Sequence, residues 1–426
     1  MPCPKNTHVK SVAQKIVLGA LLTCVMMVLY CLSPPASHVS MHTPPPDAAC
    51  ADDASRSSRR TFSVSEGTKE KTQNCEPKIN VMFMKTHKTA SSTLLNILFR
   101  FGQKHNLKFA LPASRNDFFY PSPFFRSQVK DYKPSMCFNI VCNHMRFNGP
   151  EVEKLLPADT VFFTILRDPA ELFESSFHYY RSLVPLTWKI RGQDKLTEFL
   201  NDPNRYFTPD SFNSFYLKNL QLFDFGYENN LEPQDPQVEK AIQHIAERFH
   251  LVLLAEYFEE SLMLLKDALC WNMDDLLFFK LNARRGSSVS KLTPELRAKA
   301  REWNGADWKL YRHFNATFWA KVEAYGKTRM EKDVTELRRR NAEMAAKCIE
   351  GGTAVEAREI REQGMKPWQP VGESSILGYN LRTNISPQHQ ELCRKMLTPE
   401  IQYLTELGVN LWITKLWGWF KDKMLS

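Results

Sequence analysis

The fold is decided by Val81-Met-Phe-Met-Lys-Thr-His-Lys-Thr-Ala-Ser-Ser-Thr-Leu-Leu-Asn-Ile-Leu98, which contains a short apolar strand, a basic and hydroxyl-rich turn, and a helix with one apolar face. Backbone N–H groups at the start of a helix face the preceding turn and carry a partial positive charge. Lys88 adds an ammonium group beside the hydroxyl groups that follow it. We therefore predict an anion-binding loop formed by Lys85, Lys88, Thr89, Ala90, Ser91, Ser92 and Thr93.

This loop differs from the P-loop of nucleoside triphosphatases. The P-loop needs the pattern G-x-x-x-x-G-K-[ST], whereas no glycine lies between Val81 and Phe101. Clusters of Lys, Ser and Thr are common, and the same letters also fit an ordinary capped helix after a strand. A phosphate- or sulfate-binding function therefore needs a second element elsewhere in the chain.

The second element is Val161-Phe-Phe-Thr-Ile-Leu-Arg-Asp-Pro-Ala-Glu-Leu-Phe-Glu-Ser-Ser-Phe177. Its β-forming residues stop at Arg167, and the proline two positions later is well placed to open a helix. Ser175 lies about two helical turns beyond Arg167. The alternative is an ordinary helix start in which Arg167 forms an ion pair.

Strands and helices alternate along the folded part of the chain. We predict strands near residues 79–84, 108–111, 137–142, 160–166, 250–254 and 277–281, and helices near 91–104, 169–182, 237–247, 258–268, 294–303 and 310–342. This alternation predicts an α/β fold with a central parallel sheet flanked by helices. Ligands bind such sheets at the carboxyl ends of the strands, so the two elements are expected to meet in one crevice.

Two histidines are candidates for acid–base chemistry. His144 follows a predicted buried strand that ends at Cys142, so we expect it beside the crevice. An imidazole with an unperturbed pKa of ~6.5 can remove a proton from a hydroxyl group. His87, next to Lys88, is the competing base or else orients the acceptor. We place His144 first, and the alternative for it is a hydrogen-bonded histidine under a loop.

The N-terminal residues indicate a membrane anchor. Residues 1–15 carry three lysines and no acid, and an uninterrupted apolar run follows. We predict a cytosolic tail (1–15), a transmembrane signal-anchor (16–32), a flexible lumenal stem (33–77) and a lumenal domain (78–426). The short span favours Golgi membranes, which predicts a single-pass type II Golgi protein. A cleaved signal peptide is the alternative.

Composition narrows the choice of partners. The formal net charge is +9, but the basic residues are scattered and no nucleic-acid-binding signature occurs, so no nucleic acid is expected. Seven of the ten cysteines lie outside the predicted tail and span. Because seven is odd, at least one is free or joins another chain, and a homodimer stays open. No cysteine or histidine spacing suggests a metal site.

The predicted lumenal part carries two glycosylation sequons and an aromatic C-terminal segment. The acceptors would be Asn315 and Asn384. The last residues predict an amphipathic helix whose apolar face comprises Trp412, Leu416, Trp419 and Phe420. Trp and Lys together suit a membrane interface. Packing of this face on the protein core is the alternative.

The order of the Lys-Thr-Ala-Ser-Ser-Thr loop, the strand-end His144 and the Arg167-Asp-Pro element with Ser175 resembles the membrane-bound carbohydrate sulfotransferases, and the galactose-3-O-sulfotransferases most closely. The similarity spans nearly the whole predicted lumenal domain. Segments 85–105 and 396–403 resemble the members that act on galactosylceramide. The resemblance implies a sulfotransferase-type, P-loop-like fold. It also implies sulfate transfer from 3′-phosphoadenylyl sulfate to the 3-hydroxyl of a β-galactose, without a metal.

The resemblance further implies roles for individual residues. Lys88 would stabilise the bridging oxygen of the departing nucleotide, and the hydroxyl groups after it would bind the 5′-phosphate. Arg167 and Ser175 would bind the 3′-phosphate. Arg284 and Arg285 lie in a basic loop that looks like the one closing over the nucleotide in sulfotransferases, although the fuller family pattern is missing. A solvated turn is the alternative for these two arginines.

The sequence leaves the acceptor open between two classes. A glycolipid with a terminal β-galactose, such as galactosylceramide, is the first choice, and N-acetyllactosamine chains of glycoproteins are the second. A nucleotide-dependent kinase would need the missing Gly-Lys-[Ser/Thr] loop. A membrane-tethered lectin without catalysis would leave Lys88 and Arg167 without a role.

Overall fold

Five parallel strands form the central sheet of the computed structural model, which describes residues 75–370 and 375–416. Their order in the sheet is β2-β3-β1-β4-β5, and every neighbouring pair is parallel. The strands are β1 (Val81–Met84), β2 (Phe109–Ala110), β3 (Ile140–Val141), β4 (Val161–Leu166) and β5 (Leu251–Leu254). A separate antiparallel pair joins β6 (Val355–Glu356) and β7 (Leu377–Gly378). The predicted α/β fold with a central parallel sheet is confirmed.

Helices cover the sheet, because β1, β4 and β5 are buried along their whole length and are apolar apart from Thr164. The helices are α1 (Ser91–Lys104), α2 (Gly149–Glu153), α3 (Pro169–Tyr180), α4 (Lys195–Asn201), α5 (Pro203–Tyr206), α6 (Leu220–Asp224), α7 (Pro236–Arg248), α8 (Phe258–Leu269), α9 (Pro294–Trp303), α10 (Gly305–Tyr325), α11 (Lys327–Cys348), α12 (Pro387–Leu397) and α13 (Glu400–Glu406). The predicted bounds of α1 and α9 match these, and those of α3, α7 and α8 differ by at most two residues.

The predicted strand at 277–281 is wrong. Leu277, Phe278 and Phe279 are buried, Lys280 is exposed and Leu281 is half-buried, and the backbone of this run joins no sheet. The N–H of Phe278 instead donates to Oδ1 of Asn341 at 2.9 Å, and the Leu277 carbonyl accepts from the Arg100 guanidinium. The apolar run therefore packs on the core as an irregular segment whose polar backbone groups are satisfied by side chains.

The predicted helix over 310–342 is two helices. α10 ends and α11 begins at Gly326, whose φ of 93° lies in a region that side-chain-bearing residues rarely adopt. The two halves have partly different neighbours: α10 contacts α6 and α7, α11 contacts α12, and both contact α8. The periodic charged and apolar pattern continues through the break, which is why a single helix was predicted.

The cysteines agree with the odd count in the sequence. Cys75 pairs with Cys270, and Cys348 pairs with Cys393. Cys137 is also disulfide-bonded, and Cys142 is free and buried. The prediction that at least one cysteine outside the tail and span is free or intermolecular is consistent with the Cys142 thiol.

The predicted membrane segments fall largely outside the described residues. Within residues 75–370 and 375–416, no helix combines the length and the apolar character needed to cross a bilayer. The tail, the span at 16–32 and nearly all of the stem lie outside this range. On the C-terminal segment, Trp412 and Leu416 are exposed, at 47% and 36%. Trp419 and Phe420 lie outside the described residues.

Candidate active site

The loop between β1 and α1 is shaped to receive an anion. Lys88 and Ala90 adopt left-handed backbone conformations, with φ of 58° and 62°. Left-handed residues in such turns align successive N–H groups into an anion-binding nest. α1 has no side-chain cap and no acid in its first turn. The N–H groups of residues 88–92 donate no hydrogen bond to any described residue, so they are available to a ligand.

The hydroxyl groups of this loop already have partners in the protein. Ser91 Oγ donates to the Thr86 carbonyl at 2.8 Å, and Thr89 Oγ1 lies 2.9 Å from Thr86 Oγ1. Thr93 Oγ1 accepts the N–H of Leu281 at 3.2 Å. Ser92 Oγ donates to Oε2 of Glu400 at 3.0 Å. These bonds hold the shape of the loop, so backbone N–H groups and the Lys88 ammonium are left as its donors.

The second predicted element touches the first. β4 lies beside β1 in parallel, so the carboxyl ends of both strands are neighbours. Arg167, directly after β4, donates from Nη1 to the Lys88 carbonyl at 3.0 Å, and its own N–H donates to Gln221 Oε1 at 2.8 Å. Ser175 is buried on α3. The structure thus brings the lysine loop and the strand-end arginine into direct contact.

Positive charge accumulates around Lys88. Burial lowers the pKa of Lys88 well below its usual range, and three neighbouring cations lower it further, against a smaller opposing effect of Glu174. These cations are Arg284, Arg167 and Lys85, in decreasing order of effect. Burial also lowers the pKa of Arg167. A ligand with several negative charges would relieve this crowding, so the cluster suits a polyphosphorylated anion.

The two arginines of the predicted nucleotide loop have different surroundings. Arg284 is largely buried and forms a two-pronged ion pair with Glu174, including an Nη1–Oε1 contact of 3.1 Å. Its positive charge contributes to the lowered pKa of Lys88. Arg285 is exposed and pairs with Glu356 at 2.6 Å. Of this pair, Arg284 belongs to the cation cluster, whereas Arg285 is engaged in a surface ion pair.

His144 is held as a neutral hydrogen-bond acceptor. Its Nδ1 donates to the Lys85 carbonyl at 3.0 Å, because a carbonyl oxygen can only accept. Its Nε2 therefore accepts from the Lys85 ammonium, 2.6 Å away. Burial, followed by the charges of Lys85 and His87, lowers the pKa of His144 well below 6.5. In this arrangement the nitrogen that could take a proton is already occupied.

His87 has one ring nitrogen anchored, and its other ring nitrogen has no hydrogen-bond partner within residues 75–370 and 375–416. Nδ1 contacts Asp224 Oδ1 at 2.8 Å, and the backbone N–H of His87 donates to Oδ2 at 2.8 Å. The hydroxyl of Tyr120 donates to the same carboxylate at 2.8 Å. The rings of His87 and His144 stack with centroids 4.0 Å apart. A carboxylate that fixes Nδ1 leaves Nε2 as the basic atom, which is the logic of a general base.

Asp224 is itself held in place by a second buried carboxylate. Asp224 is the last residue of the short helix α6, and Asp307 accepts the N–H groups of Gln221 and Leu222 at 2.9 Å each. Burial raises the pKa of Asp307 to about 7, against the lowering effect of these two N–H groups. Asp307 thus caps the helix that presents Asp224 to His87.

Tyrosine rings form one wall of the site. Tyr180 and Tyr216 stack at 3.7 Å between centroids, and their rings lie 6.0 and 5.7 Å from that of His87. The Lys88 ammonium lies 3.6 Å from the centroid of Tyr179. Flat aromatic faces beside a base provide an apolar platform with polar edges, which suits the C–H face of a sugar.

Several of these residues were missed in the sequence. Tyr179 could have been found, since it lies one helical turn after Ser175 on α3. The others lie outside the two anion-binding elements, and nothing in their local sequence points to the site. They are Tyr120, Tyr216, Asp224, Asp307 and Glu400.

The remaining predictions concern metal and carbohydrate. No group of three or more His, Cys, Asp or Glu side chains that could hold a metal occurs in the described part of the chain. Asn315 is half-buried within α10, and Asn384 is exposed in the bend before α12. Their glycosylation stays a prediction.

A cation cluster at the end of a parallel sheet lies next to a carboxylate-anchored histidine, an arrangement that suits group transfer from an anionic donor. Comparison with known proteins specifies the class. The matching family model is described as galactose-3-O-sulfotransferase and covers residues 1–411. The chain belongs to the galactose-3-O-sulfotransferase family.

Individual relatives agree with this assignment. The chain is 54% identical to human galactosylceramide sulfotransferase over 98% of both chains. It is 54% identical to the mouse protein of that name over 97% of both chains. Human galactose-3-O-sulfotransferase 2 is 43% identical, over 78% of this chain and 83% of its own length. The family resemblance found in the sequence is confirmed.

Proposed function

We propose that the protein transfers a sulfuryl group from 3′-phosphoadenylyl sulfate to the 3-hydroxyl of the β-galactose of galactosylceramide. The observation that carries this proposal is the direct contact between the Lys88 loop and Arg167. The names of the relatives with 54% identity support the acceptor. Transfer forms a bond between galactose O3 and sulfur and breaks the bond from sulfur to the phosphate oxygen. The nucleotide leaves as 3′-phosphoadenosine 5′-phosphate.

The donor fits the cation cluster at both of its charged ends. The N–H groups of residues 88–92 and the Lys88 ammonium would hold the 5′-phosphate and stabilise charge that develops on the bridging oxygen. Arg167 and the buried Ser175 would hold the 3′-phosphate, with Arg284 contributing positive charge. The crowding that depresses the pKa of Lys88 would then be offset by the anion.

We assign the base to His87 and keep His144 as a supporting residue, which reverses the order favoured in the sequence. Nε2 of His144 accepts from Lys85, whereas Nε2 of His87 has no hydrogen-bond partner among the described residues. Asp224 would stabilise the imidazolium that forms when His87 takes the hydroxyl proton. The Tyr180–Tyr216 pair lies beside this base and would position the sugar ring.

The acceptor is tested with radiolabelled sulfate donor and three acceptors: galactosylceramide, lactosylceramide and N-acetyllactosamine. We expect kcat/KM to be highest for galactosylceramide. A preference for N-acetyllactosamine would replace the glycolipid assignment with the glycoprotein alternative. Absence of transfer to every galactoside, together with sugar binding, would leave a lectin.

Replacing Arg167 by alanine is expected to raise KM for the nucleotide donor by about 10- to 100-fold. The reason is the loss of hydrogen bonds to a charged group, worth about 1.5–3 kcal/mol. Arg285→Ala is the matched control, because Arg285 is exposed and pairs with Glu356 at the surface. Steady-state kinetics at saturating acceptor measure both. Equal effects of the two substitutions would remove Arg167 from the donor site.

The cellular setting follows from the same proposal. A Golgi-membrane protein with a lumenal enzyme domain suits the disulfides Cys75–Cys270 and Cys348–Cys393, because disulfides persist in the secretory pathway. The apolar run at 16–32 would be its anchor. The exposed Trp412 and Leu416 support a C-terminal face that meets the membrane. Protease protection in sealed microsomes tests the topology: digestion of the enzyme domain without detergent would contradict it.

A further inference from the structure

The C-terminal helix α13 places a carboxylate inside the site. α13 packs on α1, where the Tyr403 hydroxyl donates to Gln103 Oε1 at 2.7 Å. Glu400, its first residue, has a largely buried side chain. Glu400 Oε2 accepts from Ser92 Oγ at 3.0 Å and lies 3.3 Å from Lys85 Nζ. A carboxylate from the far end of the chain therefore joins the anion-binding loop.

A negative charge here opposes the binding of an anionic donor, so its presence needs a reason. Lys85 supplies one, because its side chain is only 2% exposed and a buried ammonium needs a partner. Glu400 is the only ion-pair partner of Lys85 among the described residues. The other neighbour of the ammonium is the neutral His144, which accepts but carries no compensating charge.

These contacts form a continuous buried network of side chains. It runs from Glu400 to Lys85, from Lys85 to Nε2 of His144, across the 4.0 Å ring stack to His87, and on to Asp224. When His87 takes a proton, a second positive charge appears close to Lys85. The carboxylates at the two ends of this network offset the two positive charges.

We propose that Glu400 is a positioning residue: it holds the Lys85 ammonium on Nε2 of His144 and compensates its charge, so that His87 can accept the acceptor proton. This inference rests on the proposed function. Glu400 need not touch substrate in this role, since it acts through Lys85.

The other titratable side chains around this network are the same in the wild type and in the test variants. Asp117 acts on His87 by its charge, Lys88 acts on His144, and Cys142 lies within electrostatic reach of both Lys85 and Glu400. The tyrosines that face this network are Tyr120, Tyr179, Tyr180 and Tyr216. Burial raises the pKa of each of these tyrosines, so they remain neutral across the range assayed.

The test is the pH dependence of kcat in Glu400→Gln on a soluble β-galactoside. Removing the carboxylate leaves the Lys85 ammonium uncompensated, which disfavours a second positive charge on the neighbouring ring of His87. The acid limb of the pH profile should therefore move to lower pH by about half a unit, and maximal kcat should fall by about two- to threefold because a weaker base accepts the proton less readily. Glu406→Gln, on the exposed side of the same helix, should match wild type.

A double variant shows whether Glu400 acts through Lys85. The profile of Lys85→Met/Glu400→Gln should coincide with that of Lys85→Met, because Glu400 has nothing to compensate once the ammonium is gone. If Glu400→Gln does not fold, Glu400→Asp takes its place, and its shorter side chain should shift the limb in the same direction by less.

Three outcomes overturn the inference. They are an acid limb unchanged in Glu400→Gln, a change confined to KM for the acceptor, and full additivity in the double variant. The second would make Glu400 a sugar contact. Wild-type transfer to galactosylceramide and to the soluble galactoside is measured first. Absence of both rejects the proposed function, whereas transfer with an unshifted acid limb in Glu400→Gln rejects this inference alone.

Discussion

Lys88→Ala is expected to lower kcat for sulfate transfer by about 10²–10³-fold, the usual cost of removing one donor that stabilises charge in the transition state. The fold should not suffer, because the charged form of Lys88 is already disfavoured by burial and by the neighbouring cations. Removing it relieves like-charge crowding in the unliganded protein. Single-turnover kinetics measure the rate, and the melting temperature measures the fold.

Lys104→Ala is the matched control for this substitution. Lys104 ends α1, its side chain is 58% exposed, and it pairs with Asp275 at 2.6 Å outside the site. It should retain wild-type kcat, since exposed ion pairs contribute about 0–1 kcal/mol. A Lys88→Ala enzyme with wild-type turnover would remove the lysine from the mechanism.

His87→Ala should have the second large effect, a fall in kcat of about 10²–10⁴-fold, the typical contribution of a general base. Asp224→Asn should lower kcat in the same direction, because the amide no longer stabilises the imidazolium. His144→Ala should cost less than His87→Ala, since Nε2 of His144 is occupied by Lys85. Kinetics at saturating donor and acceptor compare the three variants.

The comparison between the two histidines decides the base. Donor binding, measured by calorimetry with 3′-phosphoadenosine 5′-phosphate, should stay within about twofold of wild type in both variants if neither ring contacts the nucleotide. A His144→Ala enzyme that loses activity while His87→Ala retains it would restore the order favoured in the sequence.

The parts of the site that could be predicted are local. The loop at 85–93 and the Arg167 element each combine a strand end, a turn and a helix start within one short segment. Alternation of strands and helices then indicated a parallel sheet, and the carboxyl ends of neighbouring strands must meet. The contact between Arg167 and Lys88 follows from this topology.

The parts that could not be predicted depend on packing between distant segments. Asp224 reaches His87 across 137 positions of the chain, and Glu400 reaches Ser92 across 308. Asp224 lies in no recognisable pattern, and segment 396–403, which contains Glu400, shows a family resemblance but no sign of this contact. The order of the two histidines likewise depended on Lys85, whose ammonium occupies His144 in the folded protein.

The two errors in secondary structure have different physical origins. At 277–281 the apolar run matched a strand, but side chains of Asn341 and Arg100 satisfy its backbone instead of a neighbouring strand. At 310–342 the charged and apolar pattern continues through Gly326, so the only sign of the break in the sequence is that single glycine, which adopts a positive φ.

The central claim is that the Lys88 loop and Arg167 bind opposite ends of one nucleotide, and isothermal titration with truncated ligands tests it most directly. Wild type should bind 3′-phosphoadenosine 5′-phosphate more tightly than adenosine 5′-phosphate or adenosine 3′-phosphate. Arg167→Ala should abolish only the gain in affinity that the 3′-phosphate provides. Lys88→Ala should abolish only the gain in affinity that the 5′-phosphate provides. Binding that ignores the 3′-phosphate, or variants that weaken all three ligands equally, would contradict the account.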